Sequence, residues 1–278
     1  MELFRRLRPY FSRRIHPVPG DARTRIFVPD SHSGALAGQA FSRWSELLSG
    51  PDLEREVSDL RRRRLFLDRP FHVEGRLVLA KAYVYHDFPR KIEGMFFFSD
   101  AQRNFFTLSY LHAHGIPVSK PLGLVQQYSG PVLSRAYLFL EKLPASAVDY
   151  KVFLHWLDRQ DKAVRVRFFS DLGAQLAAVH KLGVFTKDMD KNVMVVREGG
   201  DFLFYFLDFD SVYPWRIPNR RRTFVSLKKF ITPHHRWPEE DLRLFYSTYF
   251  SSRGKPEWEE SALSYVRTYI RENRERYP

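Results

Sequence analysis

The sequence of 278 residues contains no cysteine. That absence excludes a disulfide scaffold, a thiolate zinc centre and a cysteine nucleophile, and it fits a reducing compartment. Long apolar runs are missing too: no stretch approaches the roughly 20 residues of a membrane-spanning helix. The first residues lack the apolar core of a secretory signal, so the expected location is the cytoplasm. Acidic charge is also scarce. Against 45 Lys and Arg stand 32 Asp and Glu, a net charge of +13, and the partner should therefore be anionic. Nucleic acid, an anionic membrane surface or a phosphorylated substrate each meets that condition. Hydrophobic content of 44% and aromatic content of 16% argue against disorder. The length suits one large domain or two lobes.

Along the chain, residues 1–20 form a basic amphipathic segment, with Leu3, Phe4, Leu7, Tyr10 and Phe11 at helical spacing among five arginines. It would serve as an interfacial anchor on anionic lipid or pack its aromatics on the protein body. Residues 17–38, rich in Pro, Gly and Ser, read as irregular, and a short helix is expected over 39–48. Residues 58–84 hold β-rich stretches, and Lys81 lies late in the second of them. Ser99 caps a helix carrying Phe105, Phe106, Leu108 and Leu111 up to Gly115. An extended connection through Ile116 and Pro117 leads to strands over 123–127 and 135–140. The pattern turns helical after Glu141-Lys142-Leu143-Pro144. The division expected is a β-rich lobe over 21–142 and a helical lobe over 143–278.

In the second part a helix over 163–182 presents Val166, Phe169, Leu172, Leu176 and Val179 on one face and stops at Gly183. Further helices are expected over 224–231, over 238–250 with Pro238 in the first turn, and over 256–274. His234-His235 reads as a surface pair, because adjacent loop residues point apart and no third metal ligand accompanies them.

The stretch 179–210 carries the chemistry. An apolar helix ends at Gly183, a loop presents Asp188 and Asn192, and two short strands form a hairpin whose second strand delivers Asp208. That order resembles the catalytic core of the protein-kinase-like phosphotransferases. On this resemblance Asp188 is the base or hydroxyl-orienting group, and Asn192 and Asp208 are ligands of magnesium. A hairpin between them would bring both ligands to the same end of adjacent strands. The bland alternative is a βαβ-like fragment with solvated loop acids. Lys81 resembles the strand lysine that binds nucleotide phosphates, the alternative being an edge-facing lysine.

Several positions depart from the kinase pattern. Thr186 stands in place of the catalytic-loop histidine, and the loop from Asp188 to Asn192 is one residue shorter. No Glu occurs between Ser99 and Gly115 to pair with Lys81, leaving Asn104 or Asp100 for that task. No glycine-rich loop precedes Lys81; Arg61 to Arg64 would contact phosphates or form a solvated basic turn.

Taken together, these segments resemble the lipopolysaccharide core kinases (Kdo/WaaP-type). The matching pieces are Lys81 in its strand, Ser99 to Phe105 leading to Gly115-Ile116-Pro117-Val118, Glu141-Lys142-Leu143, the loop from His180 to Asn192, Leu207-Asp208-Phe209-Asp210 and the arginine-rich run after it. The resemblance implies an α+β, bilobal protein-kinase-like fold with an antiparallel β-rich N-lobe and a mainly helical C-lobe. It implies ATP and Mg2+ as cofactors, with Lys81, Glu141 and Leu143 on the nucleotide. The substrate implied is an anionic glycolipid, the lipopolysaccharide core, phosphorylated on a heptose or Kdo hydroxyl at the cytoplasmic face of the inner membrane, which the protein would contact peripherally. Nucleic acid is then not the expected partner. The alternatives are a catalytically silent kinase fold that binds an anionic membrane or nucleic acid, and a kinase of another small molecule or protein.

Overall fold

Alternating burial in the first half of the chain builds a sheet, and helical periodicity in the second half builds a bundle around a short hairpin sheet. The computed structural model describes residues 16–18, 23–29, 33–48, 64–66, 71–85, 99–186, 191–209, 212, 219–228, 230 and 237–272. Residues 1–15 of the basic N-terminal segment, Arg61 to Arg63, Asp188, Asp210 and His234-His235 lie outside the described residues. Two compact units divide the chain. One comprises Met1–Tyr110, Ser119–Leu143 and Phe209–Ser211, and the other Leu111–Val118, Pro144–Asp208 and Val212–Pro278.

The first unit holds strands β1 (His16–Val18), β2 (Thr24–Val28), β3 (Arg64–Phe66), β4 (Phe71–Val73), β5 (Arg76–Val84), β6 (Pro121–Ser129) and β7 (Val132–Glu141), with helices α1 (Ser33–Leu48) and α2 (Asp100–Ala113). All pairings are antiparallel in the order β1-β2-β6-β7-β5-β3, with β4 also on β5. Leu36, Ala40 and Trp44, spaced by four on α1, bury a single stripe against Val78, Ala80, Ala82, Val125, Tyr137 and Phe139. This corrects the irregular reading of 17–38. The run Thr24-Arg25-Ile26-Phe27-Val28 has β-branched and aromatic side chains that suit a pleated surface, and α1 starts at Ser33, six residues earlier than the pattern indicated. Burial of Leu36 and Ala37 outweighs the poor helix propensity of the neighbouring glycines.

The second unit holds β8 (Val148–Asp149), α3 (Tyr150–Leu157), α4 (Lys162–Lys181), β9 (Val193–Glu198), β10 (Asp201–Phe206), α5 (Arg220–Leu227), α6 (Glu239–Arg253) and α7 (Glu259–Glu272). Carboxylate and amide caps start the helices: Asp161 accepts the Val164 N–H at 2.8 Å, Asp149 that of Lys151 at 2.8 Å, and Asn219 that of Arg222 at 2.9 Å. α5 therefore begins four residues before the expected start at 224. Pro238 sits at the N-cap of α6, just before its first turn, and a 3-10 turn over Pro256–Trp258 precedes α7.

α4 is the centre of this unit. It buries Phe169, Leu172, Gly173, Leu176 and Val179, but Val166 is 40% exposed and Phe168 takes the inward place. Phe168 packs at 5.1–5.5 Å from the rings of Phe153, Phe202 and Phe204, on the side facing the hairpin. On its other side α4 meets α6 so closely that a Cβ at Gly173 would lie 2.9 Å from the Phe245 carbonyl oxygen. Only glycine allows that approach.

In the strand order β10-β9-β8, β10 is an edge, and α4 satisfies it with side chains. Asp171 accepts the Phe202 N–H at 3.0 Å, the Gln175 amide donates to the Phe202 carbonyl at 2.7 Å, and the same amide accepts the Phe204 N–H at 3.0 Å. The Phe206 N–H continues the series to the Pro117 carbonyl at 3.1 Å. These bonds blunt the edge and fix the hairpin on the helix. Gln175→Leu removes two of them and is expected to lower unfolding stability by roughly 1–3 kcal/mol. A shift of the urea midpoint at unchanged slope is the measurement; an unchanged midpoint would deny the helix its anchoring role.

Candidate active site

Strand β5 has two faces because side chains alternate. Val78, Ala80 and Ala82 enter the α1 core, so Lys81 and Tyr83 share the opposite face with Tyr85, the next residue in the alternation. α2 covers that face. The Tyr85 hydroxyl accepts the Ala101 N–H at 3.4 Å, and the Tyr83 hydroxyl accepts from the Asn104 side-chain amide at 2.9 Å. Lys81 is 1% exposed and lies opposite Leu138 on β7 and Phe66 on β3. The edge-facing alternative is therefore overturned: β5 is an interior strand at that point. A buried ammonium is costly unless charge or ring electrons answer it, and the Lys81 Nζ stands 5.1 Å from the centre of the Tyr83 ring.

α2 opens with a reciprocal cap. The Gln102 N–H donates to the Ser99 hydroxyl at 3.2 Å, and the Ser99 N–H donates to the Gln102 side chain at 3.0 Å. Asp100 turns to Arg103 in an ion pair on the same helix. At the other end the Ile116 N–H reaches the Leu111 carbonyl and the Gly115 N–H the His112 carbonyl, with Gly115 at φ 75°. That pattern ends the helix through a left-handed residue, and it aims Pro117 at the edge of β10.

Asn192 directly precedes β9, and Asp208 follows β10 by two residues. The Leu207 N–H donates to the Asn192 carbonyl at 2.8 Å, so the ladder runs one pair beyond Val193 and Phe206. Asn192 and Asp208 thus come to the same end of the hairpin, both half-buried. An amide oxygen and a carboxylate are hard donors of the kind magnesium takes, completed by phosphate oxygens and water. The residues fit that ion. Among the described residues no group of three or more His, Cys, Asp or Glu gathers.

Glu141 closes β7. Its N–H donates to the Lys120 carbonyl at 2.9 Å, its carbonyl accepts the Ser119 hydroxyl at 2.7 Å, and its carboxylate lies 3.6 Å from Arg76. The Lys142 N–H is used by Leu77 at 2.8 Å, and Leu143 is half-buried beyond the strand. A carbonyl has two lone pairs, so that of Glu141 keeps one for a ligand, whereas its N–H is committed to the sheet.

Behind the loop that leads to Asp188 lies a buried relay. His180 Nδ1 is 2.6 Å from the Tyr249 hydroxyl and Nε2 is 3.1 Å from the Ser226 hydroxyl, which donates to the Thr186 carbonyl at 3.1 Å. Since Ser226 gives its proton to a carbonyl, His180 must donate from Nε2 and accept at Nδ1 from Tyr249. Tyr249 in turn accepts from Arg253 at 3.4 Å. Burial, followed by the Arg253 charge, holds the His180 pKa well below its ordinary value, and burial raises that of Tyr249. Phe185 stacks on the imidazole at 4.4 Å. The sequence reading missed Ser226 and Tyr249, for which no local pattern gives a signal. Tyr83 was legible in principle, being two residues beyond Lys81 and so on the same face.

Among the described residues, a seven-stranded antiparallel sheet with a capped helix, followed by a helical part holding an Asn- and Asp-bearing hairpin, makes a protein-kinase-like α+β fold. The model of the lipopolysaccharide kinase (Kdo/WaaP) family matches residues 59–249. The chain belongs to that family, and phosphotransfer is its class of chemistry. A solved structure titled WaaP in complex with acyl carrier protein is similar in fold, with 17% identity, a TM-score of 0.58, and coverage of 76% of this chain and 86% of that one. A structure of Rad53 1-466 in complex with AMP-PNP matches at 12% identity and a TM-score of 0.41, over 77% of this chain and 64% of the other. The search of curated proteins found no match. Among the described residues no helix is long and apolar enough to cross a membrane.

Proposed function

We propose that the chain is an ATP- and magnesium-dependent kinase that phosphorylates a sugar hydroxyl, heptose or Kdo, of the lipopolysaccharide inner core. The observation that carries this reading is the bond from the Leu207 N–H to the Asn192 carbonyl. It gathers an amide and the Asp208 carboxylate at one hairpin end in a chain of a lipopolysaccharide kinase family. Lys81 binds phosphate oxygens of the nucleotide, and the Glu141 carbonyl with the backbone of Leu143 holds the base. Asp188 orients the acceptor hydroxyl and takes its proton as the acceptor oxygen bonds to the γ-phosphorus and the bond to the ADP oxygen breaks. Asn192 and Asp208 would hold magnesium, which would supply positive charge against the phosphates. The excess of basic residues holds the anionic glycolipid and keeps the enzyme at the membrane surface.

The expected result is that ATP with magnesium raises the melting temperature and that labelled phosphate passes to deep-rough lipopolysaccharide. Absence of a magnesium-dependent shift would replace this reading by that of a silent module on an anionic surface. A shift without transfer to the glycolipid would leave a kinase of another acceptor.

A further inference from the structure

α2 carries no glutamate, and the residue that reaches toward β5 from its middle is Asn104, 1% exposed. Both ends of its amide are used. Nδ2 donates to the Tyr83 hydroxyl at 2.9 Å, and Oδ1 accepts the Phe209 N–H at 3.0 Å. A backbone N–H can only donate, so the oxygen must face Phe209, and the orientation of the amide is fixed by chemistry. A carboxylate has no proton to give Tyr83. The amide is therefore suited to a two-sided task that a glutamate would not perform in the same way.

Each bond reaches a neighbour of a group assigned to the nucleotide or to its magnesium. The Phe209 nitrogen belongs to the peptide that joins it to Asp208, so holding that N–H sets the peptide plane next to the Asp208 α-carbon and hence the direction of its side chain. On the other side, the Tyr83 ring faces the Lys81 ammonium at 5.1 Å, and Asn104 fixes that ring by its hydroxyl. The α2 N-terminus is itself anchored, since the Ser99 hydroxyl accepts from Gln126 on β6 at 3.3 Å. Asn104 thus projects from a helix that is tied down.

We infer that Asn104, acting through Tyr83 and the Phe209 N–H, is the positioning residue that aims the Asp208 carboxylate and the Lys81 ammonium in place of a helix glutamate paired with the lysine. The inference rests on the kinase reading above. Three variants test it. Asn104→Leu keeps the size and loses both bonds. Asn104→Asp keeps the acceptor for Phe209 and lets the Tyr83 hydroxyl turn and donate. Leu133→Ala removes a fully buried side chain of β7 and serves as the stability control.

Asn104→Leu is expected to speed hydrogen exchange at the Phe209 amide of the ligand-free protein about tenfold or more. It should raise the magnesium needed for half the ATP-induced melting shift by about tenfold and lower kcat about 100-fold, as misaimed groups do. Asn104→Asp should stay within about threefold of the parent on each count, and Leu133→Ala should lower the melting temperature without changing the magnesium requirement. Should Asn104→Leu not fold, Tyr83→Phe carries the same measurements with about a tenfold loss of kcat expected. Parent-like exchange and magnesium dependence in Asn104→Leu, or in Tyr83→Phe if that variant stands in, would overturn the inference alone. So would a Leu133→Ala protein that reproduces the defects. A parent protein showing no magnesium-dependent shift overturns the kinase reading and the inference with it.

Discussion

Asp208→Ala is expected to abolish the magnesium-dependent rise in melting temperature with ATP and to lower phosphotransfer by about 1,000-fold or more. The size follows from the charge involved. Transfer of a phosphoryl group proceeds with little covalent help from the protein, so most of the acceleration comes from placing charge and holding reactants. Loss of the only carboxylate at the hairpin end, among the described residues, leaves the neutral amide of Asn192 as the remaining side-chain donor there, beside phosphate oxygens and water. Stability should change little, because Asp208 is half-buried and the hairpin is secured by the bonds of Asp171, Gln175 and Pro117 to β10. Asp188→Asn should differ in kind, lowering kcat by about 100- to 10,000-fold while preserving magnesium-dependent ATP binding. Titration calorimetry of ATP with and without magnesium separates the two. Retained transfer in Asp208→Ala would remove that residue from the mechanism.

His180→Leu is the second large effect, expected in stability and in the pH dependence of stability. The substitution leaves the hydroxyls of Ser226 and Tyr249 buried without their imidazole partner, at about 1–3 kcal/mol each. It also frees the Thr186 carbonyl from a donor held in place, two residues before Asp188. A loss of about 3–5 kcal/mol is expected in denaturant unfolding. The pH dependence has a definite sign. In the folded protein burial holds the His180 pKa well below 6.5, whereas the unfolded chain titrates near 6.5. The contribution of neutral His180 is therefore fully present above pH 6.5. As pH falls below that value the unfolded state gains a proton that the folded state refuses, and stability drops by about 1.4 kcal/mol per pH unit until the folded pKa is reached. Unfolding measured at pH 7.5, 6.5 and 5.5 should show a shallower decline in His180→Leu than in the parent by that amount. Equal slopes would mean that His180 takes up its proton as readily inside the fold as in the unfolded chain.

The relay also accounts for a departure in the catalytic-loop motif. Thr186 stands where kinases place a histidine, yet what the structure holds at this position is the Thr186 carbonyl, gripped by Ser226. An imidazole enters the arrangement from α4 instead. A side-chain motif cannot reveal such a change, because the bond runs to the main chain, which every residue possesses.

Much of the architecture follows from periodicity. Val78, Ala80 and Ala82 alternate with Lys81 and Tyr83 because a pleated strand sends neighbours to opposite faces, and the buried run of α4 recurs by three and four as a helix requires. The capping box at Ser99 and the Gly199-Gly200 turn are equally local, depending on residues within three positions of one another. Where local cues conflicted, the pattern misled. Proline, glycine and serine around β2 masked five residues of good strand composition, and Val166 looked inward only because the sequence does not say that α4 has two buried sides. Phe168 faces the hairpin sheet, and Val166 has no second element to meet on its own side among the described residues.

The sequence by itself determined an antiparallel sheet followed by helices, the positions of Lys81, Asn192 and Asp208 on their elements, and the basic character that calls for an anionic partner. Those properties depend on interactions between residues close in the chain, or on composition. Only tertiary structure decided that Lys81 is interior, that Asn104 bonds both Tyr83 and Phe209, and that His180 meets Ser226 and Tyr249. These contacts join residues 21 to 105 positions apart. Their geometry is set by how helices pack on sheets, a balance of burial summed over the whole core that no single stretch of sequence contains.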